Sequence, residues 1–524
     1  VVAAAGAQRV QSRPVGSIPL PEPPDPSMEP TIPLFRFPTR TAALLAACVC
    51  AACAIVTVPP QAPPPPAAFR QAAPEADEAE LTQWWRHFAD PVLEKIVAKV
   101  RRDNLDLEAA LARLAQARAQ RRATAADLGP TITGSGSAAR NRTSAETGMG
   151  TIENQFQVGF DAQWELDVFG GRRAALRAAE AQQTAATYDL ADVLVSTTAE
   201  AAQSWFDART AHARLTLLEA QLVVLERSLA LAQANAAAVL VSELDVRQAQ
   251  TLLAQTRAQR AALAQGRESA LNALALLAGE APGYWHERLT RDQPPGPPPA
   301  AAGAEPPELA YLAPWVTRLP PLPAAGIPAD VLRRRPDVRR SEAQLAAAAA
   351  QRDVADAARY PSFPLSGSLG LTALTAGDLW QASARTWSLA FAPLATLFDG
   401  GKLSAQLEAS EAQLMQSFAD YRKSVLSALS EVENALLTLQ EDDRRLDDLR
   451  QAADSARASV ELALAQYRSG LTDYTVLIDT QRTWLSATDA FVAQQGQNAG
   501  DRVRLYKALG GGWPGEAPQE ETVR

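Results

Sequence analysis

An alternating run in the first half of the chain places the strongest constraint on the fold. From residue 156 to residue 168, apolar side chains occupy the even positions, and polar residues or glycine occupy the odd positions. A period of two is typical of a β-strand with one apolar and one polar face. A strand that crosses a lipid bilayer needs about nine to eleven residues, and this run is long enough. We therefore predict a transmembrane β-strand here.

A second alternating run, with a weaker polar face, lies at residues 387–397. Upstream partners at residues 131–140 and 363–372 would give four strands per chain. The alternative is that both hairpins are soluble sheets packed on helices, because such sheets also alternate. The apolar face of the first run carries Phe160 and Trp164, and these large side chains favour a lipid interface.

Four strands are too few to close a barrel. An open sheet edge in lipid would leave backbone groups unpaired at a cost of several kcal/mol each. Two copies of the chain would supply eight strands, and three copies would supply twelve. Only the larger number leaves a clear lumen, so the strand count favours a homotrimer.

Most of the remaining sequence has a helical pattern without internal breakers. Helices are predicted at residues 91–127, 172–238, 243–278, 336–358, 402–469 and 473–509. The halves resemble each other at an offset of about 230 residues, as residues 169–172 and 399–402 show, which indicates duplication of a whole domain. The predicted fold class is therefore mainly α with transmembrane β, internally duplicated, with four β-strands per protomer. The long helices alone fit either a coiled-coil rod or a wall of parallel helices.

Proline-rich segments and composition changes divide the chain. We predict an N-terminal extension and signal peptide at 1–53, a linker at 54–80, a first repeat at 81–281, an inter-repeat linker at 282–328, a second repeat at 329–513 and a tail at 514–524.

The cysteines lie together near the N-terminus, at positions 48, 50 and 53. An apolar segment follows Arg36 and Arg40, as in a secretory signal, and Met28 is the expected start. Small residues precede Cys48 and Cys53, so either thiol could be processed and carry acyl chains. Cys53 is favoured because it leaves the longer apolar region, and Cys48 is the alternative. An uncleaved anchor helix is the other interpretation.

Charge and motif content argue against several classes of protein. The chain has 524 residues, with 50 Lys and Arg against 59 Asp and Glu, so it lacks the basic surface that nucleic-acid binding requires. His87, His212 and His286 have no metal-ligand spacing, and no phosphate-binding loop or nucleophile elbow is present. We predict no catalytic residue, no metal and no cofactor beyond the covalent lipid. A soluble coiled-coil scaffold or adaptor is a weaker alternative because of the strands.

Four motifs carry a resemblance to a known family. They are residues 164–170 (WELDVFG), 332–339 (LRRRPDVR), 431–435 (EVENA) and 505–513 (LYKALGGGW). Together they resemble the TolC-type outer-membrane efflux channels, in the OprM and NodT lipoprotein branch. The resemblance implies a trimeric α/β-barrel channel, with one twelve-stranded β-barrel and long periplasmic helices. This homotrimer would be lipid-anchored in the bacterial outer membrane, with its helical barrel in the periplasm. It also implies contact with outer-membrane lipid, a periplasmic adaptor (membrane fusion) protein and an inner-membrane pump of the resistance-nodulation-division class. A type I protein secretion channel is the alternative.

The resemblance further implies a gate at the periplasmic helix tips. The matching residues are Asp245, Tyr467 and Asp479. Asp479 is expected to form a ring of three carboxylates that favours cations, with Tyr467 and Asp245 as part of a latch. The alternative is that each is a solvated residue near a helix turn. The first tip has Leu240 where the second has Gly470, which makes a left-handed turn less favourable there.

Overall fold

The computed structural model describes residues 57, 58, 60, 64, 66–69, 81–146, 150–238, 242–286 and 328–515. The chain divides into two units, Val1–Cys53 and Ala54–Arg524, and every described residue belongs to the second. Met28, Cys48, Cys53 and Leu240 lie outside the described residues.

Helices dominate the described residues, and four strands interrupt them in two pairs. The helices are α1 (Pro91–Asp103), α2 (Leu105–Ala126), α3 (Gly171–Ala237), α4 (Glu243–Leu277), α5 (Pro328–Arg334), α6 (Pro336–Ala357), α7 (Lys402–Arg468) and α8 (Tyr474–Ala508). The strands are β1 (Thr131–Arg142), β2 (Ile152–Glu165), β3 (Pro364–Ala373) and β4 (Arg385–Phe391). The same order of helices and strands occurs in both halves, as duplication predicts.

The helices α3 and α7 each contain 67 residues, so each extends about 100 Å at about 1.5 Å per residue. α3 packs against α2, α4, α6 and α8, and α7 packs against α6 and α8. Among the described residues, no helix has an apolar stretch long enough to cross a membrane.

The predicted helix at 91–127 is divided in two at Asn104, so that prediction was wrong in one detail. The Asn104 side chain accepts a hydrogen bond from the Leu107 amide at 3.0 Å and caps α2. Its amide nitrogen also donates to the Leu277 carbonyl at 2.8 Å. A capping residue that is bound on both sides ends one helix and begins the next.

Both alternating runs end earlier than predicted. β2 stops at Glu165 because Asp167 accepts hydrogen bonds from the amides of Arg172 (3.1 Å) and Arg173 (2.9 Å) at the start of α3. β4 stops at Phe391, although alternation continues to residue 397. Past Phe391 the pairing continues only as an isolated bridge, in which the Ser362 amide donates to the Leu394 carbonyl at 2.9 Å and the Leu394 amide donates to the Ser362 carbonyl at 3.0 Å.

The four strands form one antiparallel sheet in the order β1-β2-β3-β4. The central pairing joins β2 to β3, with Phe160 opposite Leu369 and Trp164 opposite Leu365. Because β2 belongs to the first half and β3 to the second, the two halves share one sheet.

The motif residues at 332–339 and 505–513 join the end of α8 to the start of the second repeat. Trp513 donates from its indole nitrogen to the Arg334 carbonyl at 3.1 Å. Arg335, which is buried, donates to the Ala508 carbonyl at 2.9 Å and pairs with Glu431 at 2.7 Å. A buried guanidinium is stable only when its donors are satisfied, so these motifs have a structural role.

Candidate functional site

The sheet has two chemically different faces. Residues that are opposite each other in antiparallel strands place their side chains on the same face. One row across β4, β3 and β2 contains Trp387, Leu369 and Phe160. The adjacent row on the opposite face contains Ser388, Ser368 and Asp161, and the two serine hydroxyls lie 2.8 Å apart. One face is therefore apolar and the other polar.

The apolar face is open in the single chain. The exposed fractions are 78% for Trp387, 65% for Leu369 and 64% for Phe160. β1 and β4, which form the two edges of the sheet, are exposed along their whole lengths. Exposed edges and a large apolar patch both require a partner. The soluble alternative requires a sheet that is packed on helices. The exposure of this sheet therefore contradicts that alternative.

The α3–α4 hairpin and the α7–α8 hairpin pack together around a shared core at the ends that lie farthest from the sheet. We call this core the tip cluster. Its members come from the end of α3, the start of α4, the end of α7 and the start of α8. They are Leu225, Ala232, Val246, Ala249, Leu252, Leu253, Ala463, Tyr467, Tyr474, Leu477 and Ile478.

The turn from α7 to α8 is closed by Gly470. Its φ is +69°, in the left-handed region that glycine adopts without a steric penalty. The Gly470 amide donates to the Tyr467 carbonyl at 3.1 Å, and the Leu471 amide donates to the Gln466 carbonyl at 2.9 Å. These two bonds form a Schellman motif, which holds Tyr467 in the last turn of α7.

Two tyrosines tie the second hairpin to α3. The Asn235 amide donates to the Tyr467 hydroxyl at 2.9 Å. The Tyr474 hydroxyl lies 3.1 Å from the Ser228 hydroxyl, and the two tyrosine rings are 5.2 Å apart. Both side chains are buried in the tip cluster, so neither is a solvated turn residue.

Asp245 lies at the start of α4, where its side chain has a local role. It accepts hydrogen bonds from the Ser242 amide (3.0 Å) and hydroxyl (3.1 Å), which completes a capping box. Desolvation raises the pKa of Tyr474, and the nearby Tyr467 and Asp245 add to that increase. Asp245 therefore lies within electrostatic reach of Tyr474.

Asp479 is separate from this group. Its side chain is 66% exposed, and it lies 3.5 Å from the Arg482 guanidinium on the next turn of α8. Of the three predicted residues, Tyr467 and Asp245 therefore both lie near Tyr474, and Asp479 is an exposed carboxylate. Sequence reasoning missed Tyr474, Asn235 and Ser228, and only the position of Tyr474 beside the α7–α8 turn could have indicated a role.

The family comparison decides the identity of the chain. Residues 96–280 and 327–511 match the family described as outer membrane efflux protein. The chain belongs to this family. As an outer membrane efflux protein, it is a channel subunit of the bacterial outer membrane, and its family is not a family of enzymes.

Two relatives show how much of the chain the similarity covers. The pyoverdine export outer membrane protein OpmQ of Pseudomonas aeruginosa is 32% identical over 450 residues, which are 84% of this chain and 90% of OpmQ. The toluene efflux pump outer membrane protein TtgI of Pseudomonas putida is 33% identical over 429 residues, 81% of this chain and 86% of TtgI.

Solved structures support the fold. The outer-membrane channel OprN matches with a TM-score of 0.77 and 33% identity, over 87% of this chain and 99% of OprN. The open state of the MtrE channel of Neisseria gonorrhoeae matches with a TM-score of 0.72 and 25% identity, over 88% of this chain and 100% of MtrE. The predicted family, fold class and channel function are thereby confirmed.

Proposed function

We propose that three copies of this outer membrane efflux protein form one channel, whose sheets join edge to edge into a single twelve-stranded barrel. The two-faced sheet with open edges carries this proposal. Joining β4 of one copy to β1 of the next pairs the backbone groups of both edges. It also turns the face with Trp387 towards lipid and the face with Ser388 towards the lumen.

We infer that the trimer works with a periplasmic adaptor and an inner-membrane pump of the resistance-nodulation-division class. TtgI, which is similar over most of its length, is an outer membrane protein of an efflux pump. In this arrangement the channel supplies a passive path. The pump supplies the energy, and solutes leave through the lumen.

The tip cluster is the proposed gate. Tyr467 and Tyr474 hold the second hairpin against α3 through Asn235 and Ser228, with Asp245 beside them as part of the latch. Outward movement of the second hairpin would break these bonds. Asp479, exposed on α8, is proposed to form the ring of three carboxylates that favours cations.

A measurement on the purified protein in a planar lipid bilayer tests this function. We expect a trimeric mass and small currents that prefer cations. A monomer without current would contradict both the channel and its assembly.

Asp479→Ala tests the selectivity ring. Removing three carboxylates from one constriction is expected to lower the preference for cations and raise the conductance of the closed state. The matched control is Glu461→Ala on α7, because its side chain is also 66% exposed and also pairs with an arginine, Arg457. An unchanged cation preference in Asp479→Ala would place the ring elsewhere.

We also propose that Cys53 carries the lipid. The Thr57 amide donates to the buried Asp353 carboxylate on α6 at 3.2 Å, and Arg177 on α3 pairs with the same carboxylate at 3.0 Å. α6 leads into β3, so Thr57 is held near the base of the sheet. Cys53 is preferred to Cys48 because it leaves the longer apolar segment after Arg40.

Intact-mass measurement distinguishes the two cysteines. Cys53→Ala is expected to lose the added mass of the acyl chains, and Cys48→Ala is expected to keep it. The reverse result would assign the lipid to Cys48. Neither outcome bears on the conductance, so the lipid proposal and the channel proposal can fail separately.

A further inference from the structure

Two carboxyl groups meet in the interior between α7 and α8. Asp442 on α7 is 8% exposed, and Asp501 on α8 is 2% exposed. Burial of two carboxylates side by side is unfavourable, because each loses its hydration and repels the other. This contact lies about halfway along α7, away from the tip cluster, and it has no role in the function proposed above.

Hydrogen bonds satisfy three of the four oxygens of this pair. The Gln494 amide donates to Oδ1 of Asp442 at 2.7 Å, and the Gln497 amide donates to Oδ2 of Asp501 at 3.0 Å. Arg504 pairs with Oδ1 of Asp501. Oδ2 of Asp442 is buried without a hydrogen-bond partner among the described residues. Buried polar atoms almost always have a hydrogen-bond partner, so this oxygen needs an explanation, such as a bound proton.

A proton resolves this arrangement. An ionised carboxylate can only accept hydrogen bonds, but a protonated carboxyl group can also donate one. The Gln494 amide donates to Asp442, and the Asn498 amide donates to Asp443 at 2.9 Å, so this turn of α7 packs against the part of α8 that carries Asp501. A proton on Oδ2 of Asp442 would donate to Asp501, satisfy the unpaired atom and remove one of the two adjacent charges.

We propose that Asp442 and Asp501 form a buried proton-binding site. The two carboxyl groups share one proton, and the hydrogen bond that it makes links α7 to α8. The proton belongs on Asp442, because Arg504 stabilises the ionised form of Asp501. The other charged groups around the pair are Asp443 and Arg445 on α7, Arg502 on α8, and Asp207 on α3, which faces Arg504.

The electrostatics agree with this geometry. Burial, together with the hydrogen bond and charge of Asp501, raises the pKa of Asp442 to about 6. An aspartate in the unfolded chain has a pKa of 3.8, so the folded chain holds the proton more tightly than the unfolded chain does. The resulting stabilisation is complete below that unfolded pKa and is lost as the pH rises through about 6. The contact between α7 and α8 is therefore more stable at acid pH than at neutral pH.

Infrared difference spectroscopy of the full-length protein between about pH 5 and about pH 8 tests the site, because a protonated carboxyl group has its own C=O stretching band. We expect this buried-carboxyl band in the wild type at acid pH, and its loss in Asp442→Asn. The asparagine amide can donate to Asp501 in place of the proton, so this variant should fold. Its thermal midpoint should also lose the part of the pH dependence that lies between pH 3.8 and about pH 6 in the wild type.

Asp448→Asn is the matched control, since this exposed aspartate on α7 should leave both the band and the pH dependence unchanged. Asp501→Asn provides a second test, because it removes the charge beside Asp442 and supplies an amide that can donate to the ionised Asp442 carboxylate, so it should also abolish the band. A band that persists in both Asp442→Asn and Asp501→Asn would overturn the proposal. So would a wild type that lacks the band at acid pH.

Discussion

Leu369→Arg is expected to prevent stable insertion of the protein into the outer membrane. Leu369 lies in the middle of β3, between Trp387 of β4 and Phe160 of β2 on the apolar face. An arginine on the lipid face costs about 2–4 kcal/mol near the bilayer midplane. Three copies would carry this cost in one barrel, so the effect should be large. The amount of trimer in purified outer membranes measures it.

Ser368→Arg is the matched control, because the neighbouring residue points to the opposite face. Ser368 contacts Ser388 across the β3–β4 pair, on the face that we assign to the lumen. The arginine can then remain in water, so the trimer should insert normally while its preference for cations falls. If Ser368→Arg failed to insert and Leu369→Arg inserted, the two faces of the sheet would have to be exchanged.

The strands show what periodicity can and cannot predict. Alternation identified β2, β3, β4 and the apolar face, because a period of two is a property of the strand itself. β1 was predicted only as an upstream partner of β2. Alternation did not predict where β2 and β4 end. The end of β2 depends on a contact outside the strand, because the carboxylate of Asp167 binds the first amides of α3. After Phe391, β4 keeps only the isolated bridge between Leu394 and Ser362.

The helices follow the same principle. The ends of α3, α4, α6, α7 and α8 lie within one residue of their predictions, because glycine, serine and proline at the termini are local signals. The break at Asn104 was missed because its second partner, Leu277, is 173 positions away. Neighbouring residues in the sequence carry no sign of that contact.

The candidate site was predicted only in part for the same reason. The family resemblance led to Tyr467, and its burial in the tip cluster is consistent with a role at the gate. Its partner Asn235 lies 232 positions earlier, and the Ser228–Tyr474 contact joins residues 246 positions apart. Likewise, the sequence does not distinguish Asp442 and Asp501 from solvent-exposed helix aspartates, because their burial depends on the packing of α7 against α8.

Gly496→Ala is expected to destabilise the contact between α8 and α3. A Cβ atom at Gly496 would lie 2.7 Å from the Cβ atom of Thr210 and would overlap its hydroxyl group. Thr210 cannot easily move, because it is β-branched and its hydroxyl donates to the Phe206 carbonyl at 2.7 Å. Overpacking of this kind costs about 1–3 kcal/mol. The thermal midpoint of the detergent-solubilised protein should therefore fall.

Gly266→Ala on α4 is the matched control, since no atom lies within 4 Å of the Cβ that it would add. Alanine is the better helix former by about 1 kcal/mol, so this variant should raise the thermal midpoint. The same substitution is thus expected to have opposite signs at two helical glycines. Adding Thr210→Ala to Gly496→Ala should recover part of the loss, because it removes the overlapping hydroxyl but leaves the Cβ. Equal stabilisation at both glycines would show that α3 and α8 do not approach each other closely at Gly496.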